Sequence, residues 1–516
     1  SFAAYWEWMA GIIRERHPGA IITHKMMWKG MISDLAAPHQ QNYRLWSRAV
    51  SVTGGDIYPH PYENFTLRWI MDSYRSFGDG KQVWINEHNG AGVEATNPPA
   101  PAMPPETYSA WLWQAVGRGA GGVFHWCLMP GLQADNGGWY SFSDATLSPG
   151  FWVTSRELQR LRKIEPYLFR TVAEPGEVAI LHSWPSLIQQ PGKPISGYAT
   201  SVADALYRAH VPVRFIDEEM LRSGRLDGVK AILLPGSFCL GATDIAVLRQ
   251  FAARGGLVVA WPKTGDCDEL NRPAGPEFQQ LFGIRVAGYD AAPMSVDGIF
   301  LDLVHHSWTY QKAPIDQKLT TANYRKTPVR IIPGRHLLGA LAGTELAGGP
   351  LTGFEDLALD QEVNARIEPA GATVMARFPD GRPAVTQNGR FVYVGTTPMA
   401  AGKNWQIALR QLLEAAGVTP PGYVRDAGGR PVDHVDLATL NGVGFRLIIV
   451  TNHALGRFYD GRPAAGLTIG IRGPANLRLI QLLDTPTEIV PSLKNGYGEI
   501  PAAFLPGEAK VFLAVP

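Results

Sequence analysis

The chain alternates helix-like stretches with short, continuous apolar runs: AIITHKMM from Ala20 to Met27, GGDIYP from Gly54 to Pro59, QVWINE from Gln82 to Glu87 and GGVFHWC from Gly121 to Cys127. Runs that are apolar throughout predict parallel strands buried on both faces and joined by right-handed crossovers. Each run contains or ends in polar or aromatic residues: His24 and Lys25, Asp56 with Tyr58, Asn86 with Glu87, and His125 with Trp126. A (β/α)8 barrel has this pattern, because its active site is assembled at the carboxyl ends of its strands. Four strands are half of what closure requires, so residues 1–170 read as the C-terminal half of a barrel, with the first half expected upstream or in a separate segment.

A second pattern begins near residue 175. EVAILHS, the helical SVADALYRAH, VPVRFID, KAILLPG, the helical DIAVLRQFAARG and GLVVAW alternate short strands with amphipathic helices. This predicts a doubly wound α/β domain, of the flavodoxin or amidotransferase type, over residues 175–421. A Pro- and Gly-rich segment near 268–360 reads as an irregular insertion into it. From 422 to 516 the helix signals fade, and VDLATL, GFRLIIVTN, GLTIGI, NLRLIQLL and AKVFLAV, separated by turn residues, predict a small antiparallel β-sandwich.

Composition narrows the function class. The 516 residues, with 45% hydrophobic side chains and 47 Lys+Arg against 46 Asp+Glu, describe an ordinary globular protein of two to four domains. That balance asks for neither nucleic acid nor an anionic membrane as partner, and no apolar run approaches the length of a membrane span. Cys127, Cys239 and Cys267 are far apart in sequence, so they predict neither a disulfide framework nor a CxxC zinc site. LLPGSF around Gly236 lacks both GxGxxG and a phosphate-loop lysine, and no nucleotide or other cofactor is implied.

Glu87 is the most informative residue. A carboxylate ending an apolar strand has no packing reason to be there, and at the carboxyl end of a barrel strand it reads as functional. A retaining glycosidase needs two carboxyls about 5–5.5 Å apart, one as nucleophile and one as acid/base. Asp56 and Glu94 are the acidic neighbours in this segment, whereas Glu7 on the first helix reads as a surface charge. Aromatic faces and polar groups for a sugar are offered by Tyr58, His60, Trp126, Trp139, His125, His24, Asp56 and Asn86. His88, in the loop expected after the strand, reads either as an exposed loop histidine or as a residue that orients Glu87.

The order of these parts resembles the β-galactosidases of glycoside hydrolase family 42, of clan A. GGDIYP resembles strand six, VWINEHNGAG strand seven, and WLWQAVGRGAGGVFHWC the approach to strand eight; GWYSFSD then leads into TSRELQRLRKI, the closing helix. SVADALYRAHVPVRFID and KAILLPGSFCLGATDIAVLRQFAARGGLVVAW resemble the family's trimerisation domain. The resemblance implies Glu87 as nucleophile, an acid/base glutamate in an Asn-Glu pair upstream of Ser1, a carbohydrate substrate and a homotrimer. Ala95 and the sequence GGWYSFSD depart from the family's usual tryptophan and galactose clamp. Other clan A specificities, such as β-mannosidase or α-L-arabinopyranosidase, therefore stay open beside β-galactosidase, as does a non-catalytic carbohydrate-binding protein.

Overall fold

The computed structural model describes residues 2–26, 42–57, 66–89, 105–126, 147, 149–190, 195–295, 344–346, 349–351, 356–378, 380–398, 404–432, 434–453 and 463–516. It is a mixed α/β structure.

The first unit is built from α1 (Phe2–Arg16), α2 (Tyr43–Ala49), β1 (Thr53–Ile57), α3 (Thr66–Phe77), β2 (Val83–Asn89), α4 (Pro105–Gly117), β3 (Ala120–Trp126) and α5 (Pro149–Leu168). Its sheet has three strands in the order β1-β2-β3, all parallel. The first apolar run forms no regular strand. It nevertheless lies beside β1, the Ile22 carbonyl accepting from Ser51 N and the Met26 carbonyl from Asp56 N at 2.9 Å. No closed barrel is formed among the described residues.

Helix α3 is buried nearly all round, with Leu67, Trp69, Ile70, Met71 and Tyr74 in the core. It lies between this sheet and the next unit, where Ser76 Oγ accepts from Phe215 N at 3.0 Å. A helix covered on both faces must also bury polar groups, and here these are Arg68, Asp72 and Ser73.

After β4 (Thr171–Ala173) the second unit runs through β5 (Val178–Leu181), α6 (Trp184–Gln189), α7 (Ile195–Arg208), β6 (Val213–Ile216), α8 (Glu218–Arg222), β7 (Ala231–Leu234), α9 (Ala242–Ala253) and β8 (Leu257–Ala260). It continues with α10 (Glu277–Leu281), β9 (Ile284–Ser295), β10 (Thr344–Leu346), β11 (Gly349–Leu351), β12 (Asp356–Pro369), β13 (Thr373–Arg377), β14 (Pro383–Asn388), β15 (Phe391–Val394) and α11 (Asn404–Ala415). Seven strands make one sheet in the order β13-β14-β15-β8-β7-β5-β6. β15, β8, β7, β5 and β6 are parallel, and β13 and β14 extend the sheet antiparallel. Strands β5, β7 and β8 are buried at every position, as expected of strands covered by helices on both faces. The order reverses between β5 and β7, giving a doubly wound topology with its switch point there. In the segment expected to be irregular, β9 and β12 form a long antiparallel ribbon; residues 296–343 lie outside the described set.

The C-terminal strands β16 (Gly422–Arg425), β17 (Val435–Gly442), β18 (Phe445–Asn452), β19 (Ala464–Arg472), β20 (Arg478–Gln481), β21 (Thr487–Ile489), β22 (Ser492–Lys494), β23 (Tyr497–Phe504) and β24 (Ala509–Val515) form two antiparallel sheets. Val424, Leu437, Ile448, Ile469 and Phe512 pack between them. The connecting strand β4 joins this unit, Val172 pairing with Asn441 of β17.

A buried ionic cluster fastens the three units together. Arg118, at the end of α4, pairs with Asp72 of α3 at 3.2 Å and with Asp436 of β17 at 3.0 Å. Arg68 lies 3.4 Å from Asp436, and Tyr207 of α7 donates to Asp72 at 2.7 Å. Burial alone would raise the Asp436 carboxyl, but Arg68 and Arg118 outweigh it and hold the group below its usual range.

Candidate active site

The site is set by a bulge. Gly55 of β1 pairs with Ile85 of β2, yet the next residue, Asp56, pairs with Glu87; Asn86 is therefore an extra residue in β2. The register between β2 and β3 slips over the same stretch, from Ile85 opposite Val123 to His88 opposite His125. Side chains alternate faces along a strand, so one inserted residue reverses the phase of all that follow. Upstream, Ile85 is fully buried and Trp84 lies on the other face, its ring 5.5 Å from that of Phe124. Downstream, His88 takes the helix-facing side and Glu87 the open side. Without the bulge, Glu87 would point into the helices.

Close approach of β1 makes this possible. A side chain at Gly54 would collide with the Trp84 carbonyl, and one at Gly55 with the Tyr74 hydroxyl and the Met26 carbonyl. The two glycines of GGD let Asp56 come level with Glu87.

On the open side Lys25 forms ion pairs with both carboxylates, with Glu87 and, at 3.6 Å, with Asp56. Asp56 and Glu87 retain 18% and 15% exposure, while Lys25 stays half in solvent. Burial pushes the Asp56 carboxyl above its usual range, and Lys25 opposes that shift. The bulged Asn86 donates to the His24 carbonyl at 2.7 Å and to Thr23 Oγ1 at 3.0 Å, tying the segment that carries Lys25 to β2. Lys25, Asp56, Asn86 and Glu87 are thus brought together.

Other expected residues stand apart. His24 is buried, edge-on to Trp46 at 5.5 Å, and burial lowers its pKa to about 4; it is a core residue and does not face the carboxylates. His125 bonds the Tyr108 hydroxyl on α4, and burial, with His88 nearby, lowers its pKa to about 3. His88 lies not in a loop but in strand β2, fully enclosed, bonded through Nδ1 to the Ile57 carbonyl at 2.9 Å and packed edge-on to Trp111. It does not orient Glu87, and burial lowers its pKa to about 4. Tyr58, His60, Glu94 and Trp139 lie outside the described residues, as does the side chain of Trp126, whose backbone pairs with Asn89. Among the described residues no group of three or more His, Cys, Asp or Glu could hold a metal. No helix among them is long and apolar enough to cross a membrane.

The fold is α/β, and the two carboxylates stand together near the carboxyl ends of the adjacent parallel strands β1 and β2. Residues 1–147 match the glycoside hydrolase family 42 model, described as beta-galactosidase. Among curated relatives it is similar to the beta-galactosidase BgaB of Geobacillus sp. (strain Y412MC61), 23% identical over 276 residues, covering 51% of this chain and 38% of that protein. It is also similar to the beta-galactosidase BgaH of Haloferax lucentense, 23% identical over 421 residues, covering 75% and 60%. Among solved structures, a catalytic mutant of Gan42B, a GH42 beta-galactosidase from G. stearothermophilus, superposes with TM-score 0.71 at 16% identity, and a beta-galactosidase from Bacillus circulans sp. alkalophilus with 0.70 at 18%. Each covers 100% of this chain, which spans 66% of theirs. At such identities the likeness concerns the fold.

Proposed function

We propose that this chain carries the nucleophile of a retaining β-galactosidase, with Glu87 attacking the anomeric carbon in a double displacement. The observation that carries the reading is the bulge at Asn86, which turns a strand-end carboxylate to the open side of the sheet, beside the Lys25 ammonium. Attack by an ionised Glu87 would form a glycosyl-enzyme, and a second carboxyl would protonate the leaving oxygen and later activate water. Asp56 shares the Lys25 ammonium with Glu87 and is read as a sugar-hydroxyl acceptor; the acid/base role is assigned to an Asn-Glu strand end of the barrel's first half.

In the same reading β1, β2 and β3 are strands six, seven and eight of a (β/α)8 barrel, residues 175–421 form a trimerising doubly wound domain, and residues 422–516 a small sandwich domain. The barrel reading is supported by large apolar side chains exposed around the first unit: Trp8 at 61%, Tyr5 at 49%, Phe124 at 51% and Trp152 at 62%. The homotrimer rests on the resemblance of the middle domain, and light scattering of the purified protein tests it, a monomer mass being the contrary result.

The test of function is hydrolysis of a panel of aryl β-galactosides, β-mannosides and α-L-arabinopyranosides by the wild type and Glu87→Gln. A β-galactoside preference with a loss on the order of 10^4-fold in the variant supports the reading. Undiminished hydrolysis by the variant removes Glu87, preference for another glycoside renames the enzyme, and an inert wild type favours a carbohydrate-binding role.

A further inference from the structure

Cys239 and Cys267 are not far apart in space. Their sulfurs lie 3.0 Å from one another, both side chains buried, across 28 positions of sequence. Their backbones are held in register as neighbours in a parallel bridge, fixed by Leu240 N donating to the Cys267 carbonyl at 2.9 Å and Cys267 N to the Phe238 carbonyl at 3.1 Å. Bridged segments run roughly 4.8 Å apart, inside the window of about 4.4–6.8 Å between Cα atoms that a disulfide requires. The surroundings fix both side chains: Leu187, Ile195, Tyr198 and Phe238 enclose them, and Ser186 Oγ accepts from Cys239 N at 2.9 Å. The cysteines sit in the two loops that follow β7 and β8, at the carboxyl edge of the seven-stranded sheet beside its switch point.

We propose that Cys239 and Cys267 are an intrachain disulfide site that clamps these two loops together. The bond forms by exchange with a small disulfide such as glutathione disulfide. One thiol loses its proton, attacks the small disulfide and expels one glutathione thiolate; the second, also deprotonated, attacks the mixed disulfide and expels the other. One protein S–S bond forms, one glutathione S–S bond breaks, and the two electrons lost by the protein reduce glutathione disulfide to two thiols. Because burial raises the Cys239 thiol to about 12, little thiolate exists in the folded chain, so closure belongs to folding or to a transient opening of the loops. Once closed, the bond is shielded from reductant in the native protein.

The test uses the full chain, equilibrated during refolding with reduced and oxidised glutathione, then denatured and alkylated without reductant for peptide mapping by mass spectrometry. The expected result is one alkylated cysteine, Cys127, and a linked peptide joining Cys239 to Cys267 that separates when reductant is added. The linked form should melt several degrees above the fully reduced form, a difference absent from Cys239→Ser and Cys267→Ser. Three alkylated cysteines, a link through Cys127, or stable glutathione adducts at Cys239 or Cys267 would each overturn the proposal. Peptide mapping of the wild type separates these outcomes even if a serine variant fails to fold.

Discussion

Asp56 and Glu87 stand level across β1 and β2 because Asn86 is an extra residue in β2, so both carboxylates reach the ammonium of Lys25. A bulge next to a functional side chain is a recurring way of re-aiming it. Here its effect is large: the same sequence without the extra residue would direct Glu87 toward Tyr108 and Trp111, where His88 now lies.

Lys25 is the group whose removal reads out this arrangement. In Lys25→Met the two carboxylates lose their shared cation, which favours their protonated forms. The acid limb of kcat/KM against pH should move to higher pH, the movement being modest because the ammonium is half in solvent. An unmoved limb would mean that the ion pair does not bear on the ionisation that governs the reaction.

The buried ionic cluster predicts a stability effect far from the site. Asp436→Ala leaves Arg68 and Arg118 enclosed with one fewer counter-charge, and this should cost about 3–5 kcal/mol, read as a lowered thermal midpoint. A midpoint within a degree of wild type would show that the three units do not depend on this junction.

Glu218 provides a pH test. Burial, with Asp217 and Asp244 adding to it, raises its pKa to about 8, while the Ser183 hydrogen bond opposes the shift. Between an unfolded value near 4.5 and this folded value the unfolded state releases its proton first, so the native state loses stability as pH rises through that window. Glu218→Gln has no proton to lose. Its melting temperature relative to wild type should rise from pH 5 to pH 8; a difference that stays flat over that range contradicts the assignment.

Much of the scaffold was legible in the sequence because burial on two faces leaves continuous apolar runs: VWINE marked β2, GGVFHW marked β3, and KAILLPG and GLVVAW marked β7 and β8. Glu87 stood out for the same reason, as a charge ending such a run. The bulge was not legible, since an inserted residue shows only in the register with neighbouring strands, and His88 was misplaced with it. The separation of His24 from the site was likewise hidden, because a polar residue in an apolar run does not reveal which face it takes. Long-range pairings left no local mark either: Arg118 meets Asp436 across 318 positions, and Cys239 meets Cys267 through two loops whose approach is fixed by β7 and β8 pairing. The edge strand Thr171–Ala173 is only three residues long, too short to announce itself by pattern.

Trapping the covalent intermediate identifies the nucleophile, proposed to be Glu87, by its own chemistry. A 2-deoxy-2-fluoro-β-galactoside with a dinitrophenolate leaving group needs no acid catalyst to depart, so it isolates the first displacement from the second carboxyl. After incubation and proteolysis, mass spectrometry should find the fluorosugar on the peptide containing Glu87 and no label in Glu87→Gln. Label on another carboxylate, or no label in a wild type that hydrolyses the parent galactoside, would contradict the account.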